Sequence, residues 1–263
     1  MPLTILFPPT LGRVRASARA QLLAESLERQ LGIRAVVKVA NNYVELEEKV
    51  LTRAVDLAWA PPSICAKAEE QEQTILKAVR QGRSMYRSVL IRRKGEEAIS
   101  LEELAKKGAT PIRGAWVDPL STGGHLLAIS LLRQSGVATN TIFSEQTFHG
   151  SYQGSLLALI RGDADISSIY VYGQEEVDVR WSLSEHVGAS ETQLEGFAFS
   201  DESPSDGLID TGSNESARDL VDILLNKPEN RARTLLLELI DAENLELAKE
   251  TDYWAIRQAL AQP

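Results

Sequence analysis

Apolar positions along this chain switch repeatedly between a period of two and a period near three and a half, which predicts alternating strands and helices. Leu3–Phe7 reads as a strand. Residues 15–31 carry Ala16, Ala20, Leu23, Leu27 and Leu31 at helical spacing and stop at Gly32. Residues 33–39 are rich in β-branched side chains and read as a strand. Tyr43–Leu51 reads as a helix and residues 55–60 as a short buried strand. Pro61 and Pro62 then open a short helix, since proline is tolerated in a first turn. Residues 75–79 and 88–92 read as further strands, and from Ser216 onward the pattern reads as helices through Leu220, Ile223, Leu224, Leu235–Ile240 and residues 254–260. Strands and helices alternating at these lengths imply sheets with helices on their faces.

One unit of this pattern recurs. Asn41-Asn42-Tyr43 opens a helix that ends near Arg53, and Asp56 follows Tyr43 by thirteen residues. Gly150-Ser151-Tyr152 opens another that ends near Arg161-Gly162, and Asp165 again follows the tyrosine by thirteen. The repetition predicts an α/β protein of two similar lobes, each a mixed sheet flanked by helices, with a ligand cleft between them. The expected division is residues 1–88 with 198–263 for the first lobe and 89–197 for the second. Crossings are expected at residues 87–93 and 197–199. Asp56 and Asp165 read as local structural bridges.

Bulk properties narrow the function. The net charge of −9 argues against nucleic acid, which demands a basic surface, and obliges any anion site to work locally. No apolar run approaches the ~20 residues of a membrane span, so no membrane insertion is expected. The 43% hydrophobic content suits a sizeable core. Cys65 is the single cysteine, and His125, His149 and His186 lack metal-ligand spacing, so neither metal nor cofactor is expected. The opening residues carry no signal-peptide pattern; as written the chain reads as cytoplasmic, and as periplasmic if it is a processed form.

The stretch Asp118-Pro119-Leu120-Ser121-Thr122-Gly123-Gly124 proposes a ligand type. It follows the apolar run Ala115-Trp116-Val117 and precedes a helical run through Leu126, Leu127, Ile129, Leu131 and Leu132. The reading is strand, small polar loop, helix N-terminus, a place where backbone N–H groups converge on an anion and glycines allow close approach. Taken alone, the loop reads better as an ordinary cap, Ser121, with Gly123-Gly124 as a tight turn; it is the repeated unit and a family resemblance that favour an anion site. Tyr43 and Tyr152 both open helices, where a bulky aromatic is an uncommon choice. Trp59 ends a buried strand and reads either as a wall for a ligand or as core. Tyr170 and Tyr172 alternate with Val171 and so face one side of a strand.

Taken in order and spacing, these pieces resemble the periplasmic phosphonate-binding proteins of ABC transporters, a branch of the type 2 solute-binding fold. The matching pieces are Tyr43, residues 55–59, residues 86–91, residues 118–124, residues 150–152 and Pro204-Ser205-Asp206; together they run roughly from Tyr43 to Leu208. The resemblance implies that Tyr43 and Tyr86 donate hydroxyls to a phosphonate group and that Ser121 and Thr122 bind the same oxygens. It also implies that Asp206 faces the organic end and can hold an amine. Three positions depart from the family pattern: Gly123 stands where serine is usual, Tyr152 where a histidine is, and Tyr172 near where a glutamate would hold a ligand amine. The expected site is therefore Tyr43, Trp59, Tyr86, Ser121, Thr122, Gly123, Gly124, Tyr152, Tyr172 and Asp206, with the anion end better specified than the organic end.

The expected function is non-catalytic: two lobes clamp a small phosphorus oxyanion, a phosphonate, phosphate or phosphite. The output is read by an ABC transporter permease or by a signalling partner. The alternative is an enzyme of the same two-lobed fold acting on a small anionic metabolite, with Asp118 and His125 as its best acid/base pair.

Overall fold

The computed structural model describes residues 2–9, 13–68, 73–97, 99–212, 214–249, 251–254, 256 and 257. In chain order the elements are β1 (Leu3–Phe7), α1 (Arg13–Leu31), β2 (Ala35–Val39), α2 (Tyr43–Leu51), β3 (Leu57–Ala60), α3 (Pro62–Ala68), β4 (Gln73–Val79) and β5 (Met85–Arg93). There follow α4 (Leu101–Ala105), β6 (Ile112–Trp116), a π-helical turn Thr122–Leu126 running into α5 (Leu127–Gln134), β7 (Phe143–Phe148), α6 (Tyr152–Arg161) and β8 (Ser167–Val171). The chain continues as α7 (Glu176–Val187), β9 (Leu194–Phe199), β10 (Ser203–Pro204), β11 (Gly207–Asp210), α8 (Ser216–Asn226), α9 (Arg231–Ile240) and β12 (Asn244–Leu247). It divides into two compact units, residues 1–85 with 204–263 and residues 86–203.

The first unit is built on a six-stranded sheet in the order β12-β4-β11-β3-β1-β2. Strand β1 runs parallel to both β2 and β3, and β11 returns antiparallel between β3 and β4. The apolar stripe of α1 (Leu23, Leu27) and those of α8 and α9 (Leu220, Leu224, Leu236, Leu239) bury against Leu3, Ile5, Leu57 and Leu208 of the sheet. Lys77 on β4 is 5% exposed and pairs with Glu246 at 3.0 Å and Asp252 at 2.8 Å, pinning the C-terminal segment to the sheet. The buried Tyr253 completes the tie by donating its hydroxyl to the Ser205 carbonyl at 2.9 Å.

The second unit repeats the plan. β6 is parallel to β7 and bridges through Gly114 to Ile166 at the approach to β8. β8 pairs antiparallel with β5, and β5 with β9. Strand β5 is covered on both faces: Leu90 joins the cluster around Trp116, Leu131 and Leu132, while Val89 and Ile91 join that of Leu156, Ile169 and Leu183. A strand buried on both sides reads as the unbroken apolar run seen in the sequence.

The repeated Tyr-to-Asp unit is structurally real. Asn42 and Ser151 cap α2 and α6 from the same extended backbone, with φ −157° and −158°, each side chain accepting an N–H two residues into the helix's first turn. Asp56 accepts the N–H of Thr4, the second residue of β1, at 2.6 Å. Asp165 accepts the N–H of Arg113, the second residue of β6, at 2.7 Å. Both pairs are 52 residues apart in sequence; Asp56 thus joins β3 to β1, and Asp165 joins β8 to β6.

Several sequence expectations shift. Residues 87–93 and 197–199, expected as crossings, are the paired strands β5 and β9 inside the second unit, and the chain passes between units at Met85–Tyr86 and Ser203–Pro204. Tyr86 therefore packs with the second unit. Residues 244–247, expected within a helical region, form the edge strand β12, too short and polar for its period to register. The helix expected over residues 254–260 lies mainly outside the described residues.

Asp165 gives a pH-dependent test. Burial alone would raise its pKa, but hydrogen bonds from the Arg113 side chain and N–H, with the Arg93 charge, hold the carboxyl below its ordinary value. A depressed folded-state pKa stabilises above the unfolded value, near 4, and the contribution is lost as pH falls through the folded value. Asp165→Asn is expected to lower the melting temperature by about 2–4 °C at pH 7. That deficit should shrink as pH falls below the ordinary aspartate value and through the lowered folded-state one, in thermal melts followed by circular dichroism.

Candidate functional site

The loop between β6 and α5 is organised as a capped helix start. Asp118 shapes its entry: the carboxylate accepts the Leu120 N–H at 2.8 Å, and the Asp118 carbonyl accepts the Ser121 N–H at 3.0 Å. Ser121 is the cap, its Oγ accepting the Gly124 N–H at 3.2 Å. The first turn is wound wide: the Ser121 carbonyl accepts from Leu126, and that of Thr122 from Leu127. Such five-residue turns often mark functional sites. First-turn N–H groups have no carbonyl within their own helix, and the helix adds the equivalent of ~0.5 positive charge there.

The loop is held rigidly from below. The Gly123 carbonyl accepts two buried hydroxyls, Ser88 of β5 at 2.7 Å and Ser168 of β8 at 3.3 Å. The Gly124 carbonyl accepts the Val117 N–H at 3.2 Å. A Cβ on Gly124 would lie 2.4 Å from Val117 Cγ2, so only glycine allows the helix to come this close to the strand. Val117 in turn accepts the Gly150 N–H at 2.8 Å, which brings the capped start of α6 beside the loop. Both helix starts follow carboxyl ends of parallel strands, the usual place for ligands in open α/β sheets.

Four tyrosines stand around this point. Tyr152, first residue of α6, meets Tyr170 edge-on at 5.2 Å between ring centroids and stacks on His186 at 5.2 Å. Tyr170 meets Tyr172 at 5.7 Å, and Tyr172 meets Tyr86 at 6.5 Å. Tyr170, on β8, and Tyr172, just past its end, are thus in ring contact, and Tyr170 also packs against the apolar cluster that holds Val171. Tyr86, Ser121, Thr122, Gly123, Gly124, Tyr152 and Tyr172 are brought together within the second unit. Tyr170 belongs with them, and only its alternation with Val171 hinted at that.

The remaining expected residues belong to the first unit. Tyr43 is the buried first residue of α2, the counterpart of Tyr152. Trp59 lies in the main core cluster at 1% exposure, so its surroundings satisfy the packing reading; its Nε1 has no hydrogen-bond partner among the described residues. Asp206 pairs with Arg80 at 3.2 Å, and Arg80 is itself fixed by the carbonyls of Ile240 and Asp241. The carboxylate expected to hold a ligand amine thus already faces a guanidinium.

The Asp118 and His125 pair is engaged elsewhere. Asp118 is spent on Leu120, and His125 Nδ1 lies 3.0 Å from the Pro119 carbonyl with its ring between Trp116 and Phe148. Burial pushes the His125 pKa down. An open groove of about 670 Å³ along α7 is lined by Glu175, Glu176 and Glu191 with Arg180, Val177, Trp181 and Ser184, away from this loop. Among the described residues no cluster of metal-binding side chains occurs, and no helix is long and apolar enough to cross a membrane.

Two compact α/β units of repeated plan, one carrying a glycine-lined helix start among hydroxyls, define a solute-binding protein architecture. Residues 5–253 match the family described as "ABC transporter, phosphonate, periplasmic substrate-binding protein", and the chain belongs to that family. Solved structures agree on the fold. The binding-protein component of an ABC phosphonate transporter from Pseudomonas aeruginosa superposes with a TM-score of 0.76 at 20% identity, over 99% of this chain and 86% of that one. PhnD1 from Prochlorococcus marinus, solved in complex with methylphosphonate, gives 0.76 at 21% identity over 98% and 96%. A Xanthomonas citri protein bound to ATP gives 0.78 at 14% identity over 99% and 97%. No curated protein sequence matches significantly.

The close approach at Gly124 is directly testable. Gly124→Ala forces a methyl into Val117 and should destabilise the fold by about 1–3 kcal/mol in urea unfolding. An unchanged midpoint would show that the loop does not depend on this contact.

Proposed function

We propose that this chain is a non-catalytic receptor for a small phosphorus oxyanion, with phosphonate favoured over phosphate and phosphite, serving an ABC-type transporter. The observation that carries the reading is the Ser121–Gly124 helix start, with its rigid backing and ring of phenols, in a chain of the phosphonate-binding family. The methylphosphonate held by the Prochlorococcus relative supports the ligand class.

A tetrahedral oxyanion needs several donors converging within about 3 Å. Uncharged hydroxyls and N–H groups meet that need when a helix start supplies the positive potential, and their fixed directions discriminate shape better than a mobile lysine. In this reading Ser121, Thr122, Tyr86 and the N–H groups of the first turn grip the phosphorus oxygens. Tyr43 of the first unit, placed in its repeat as Tyr152 is in the second, adds a donor. Ligand binding then favours the conformation that offers it the most donors, and that conformation is the signal to the partner. With Arg80 beside Asp206, the organic end favours an uncharged substituent over an amine.

Calorimetry with methylphosphonate tests the reading. The wild type should bind, and Ser121→Ala with Thr122→Ala should weaken affinity by more than about a hundredfold, since hydrogen bonds to a charged group contribute ~1.5–3 kcal/mol each. Loss of the Ser121 cap should lower stability by only about 1 kcal/mol, leaving the fold intact. Equal affinity in the double variant would exclude this loop as the anion site.

A further inference from the structure

Gly123 is a glycine for a reason its backbone does not supply. Its φ lies outside the positive region that disfavours other residues, and it sits in a helical turn any residue can adopt. The constraint is space. A Cβ built on Gly123 would lie 2.8 Å from the Tyr152 hydroxyl and 3.0 Å from Cε2 of the Tyr86 ring. The Tyr152 phenol therefore ends where a side chain at position 123 would begin, at the first turn of the helix that opens with Ser121.

That hydroxyl is not free to wander. Tyr152 is anchored as the first residue of α6 behind the Ser151 cap, its ring stacked on His186 with an interplanar angle of 29° and edge-on to Tyr170. The Gly123 carbonyl is held from the other side by Ser88 and Ser168. Two independently fixed elements thus meet at one point with a phenol oxygen between them. A phenol keeps its proton near neutral pH and can donate it to an anion.

We propose that Gly123 and Tyr152 form one size-coupled device in which the Tyr152 hydroxyl takes the place of a residue-123 side chain and donates to the bound phosphorus oxyanion. Tyr152 is then a specificity-determining residue for a compact phosphonate head, and Gly123 is the vacancy it requires. The inference rests on the proposed oxyanion function but adds a coupling that can be read without ligand.

The experiment compares the wild type, Tyr152→Phe, Tyr152→Ala, Gly123→Ser and the Gly123→Ser/Tyr152→Ala double variant by thermal melting and by calorimetry with methylphosphonate. Tyr152→Phe should melt as the wild type and bind about tenfold more weakly, the loss of one hydrogen bond to a charged group. Gly123→Ser should melt lower and bind more weakly because the serine and the phenol compete for one space. The double variant should melt higher than the sum of the single effects predicts and recover affinity, its serine hydroxyl standing where the phenol stood. A Tyr152→Phe variant that binds as tightly as a binding-competent wild type overturns the donor role. Strictly additive melting shifts overturn the coupling. A wild type that binds no phosphorus oxyanion overturns the parent function instead, and the melting cycle still decides whether the two residues share one space.

Discussion

The carbonyl of Gly123 is the point on which the second unit turns. Two buried hydroxyls, from β5 and from β8, converge on it, while the adjoining Gly124 carbonyl is tied to the end of β6. Two successive peptides are therefore fixed from β5, β8 and the end of β6, and the helix they belong to is held against the sheet. Rigidity here matters chemically. A helix start stabilises an anion through partial charges and directed N–H groups, and both lose value if the donors must be reorganised when the ligand arrives.

Repetition explains how such a site arises on this fold. One aspartate in each unit ties two strands, Asp56 joining β3 to β1 through Thr4 and Asp165 joining β8 to β6 through Arg113, and a capped helix beginning in tyrosine follows β2 and β7. The parallel strands leave their carboxyl ends lined with helix starts in both units. Function then needs only local changes at those ends. The acidic surface, with its net charge of −9, makes this local organisation essential, because the long-range field works against an anionic ligand.

What could be read from the sequence was what local chemistry imposes. The Tyr-to-Asp spacing was visible because caps and strand-tying carboxylates sit at fixed offsets from their helices, and residues 118–124 were visible because glycine pairs and small hydroxyl residues are costly elsewhere. The tertiary facts were hidden. Nothing in Tyr152 announces that its hydroxyl reaches Gly123, and nothing in Arg80 announces Asp206, 126 residues away. Trp59 offered two readings because a buried aromatic looks the same in sequence in either role, and β12 was too short and polar to show a period. The apolar run at residues 88–92 showed a strand, but not which unit it joins, because the boundary between compact units is set by tertiary contacts.

The account depends on backbone donors at the first turn after Ser121 gripping a tetrahedral oxyanion. An amide ¹⁵N–¹H NMR titration with methylphosphonate observes those donors directly. The account predicts saturable downfield proton shifts at Thr122 and Gly123, the largest in the second unit. Saturable binding that leaves those two amides unmoved would contradict it.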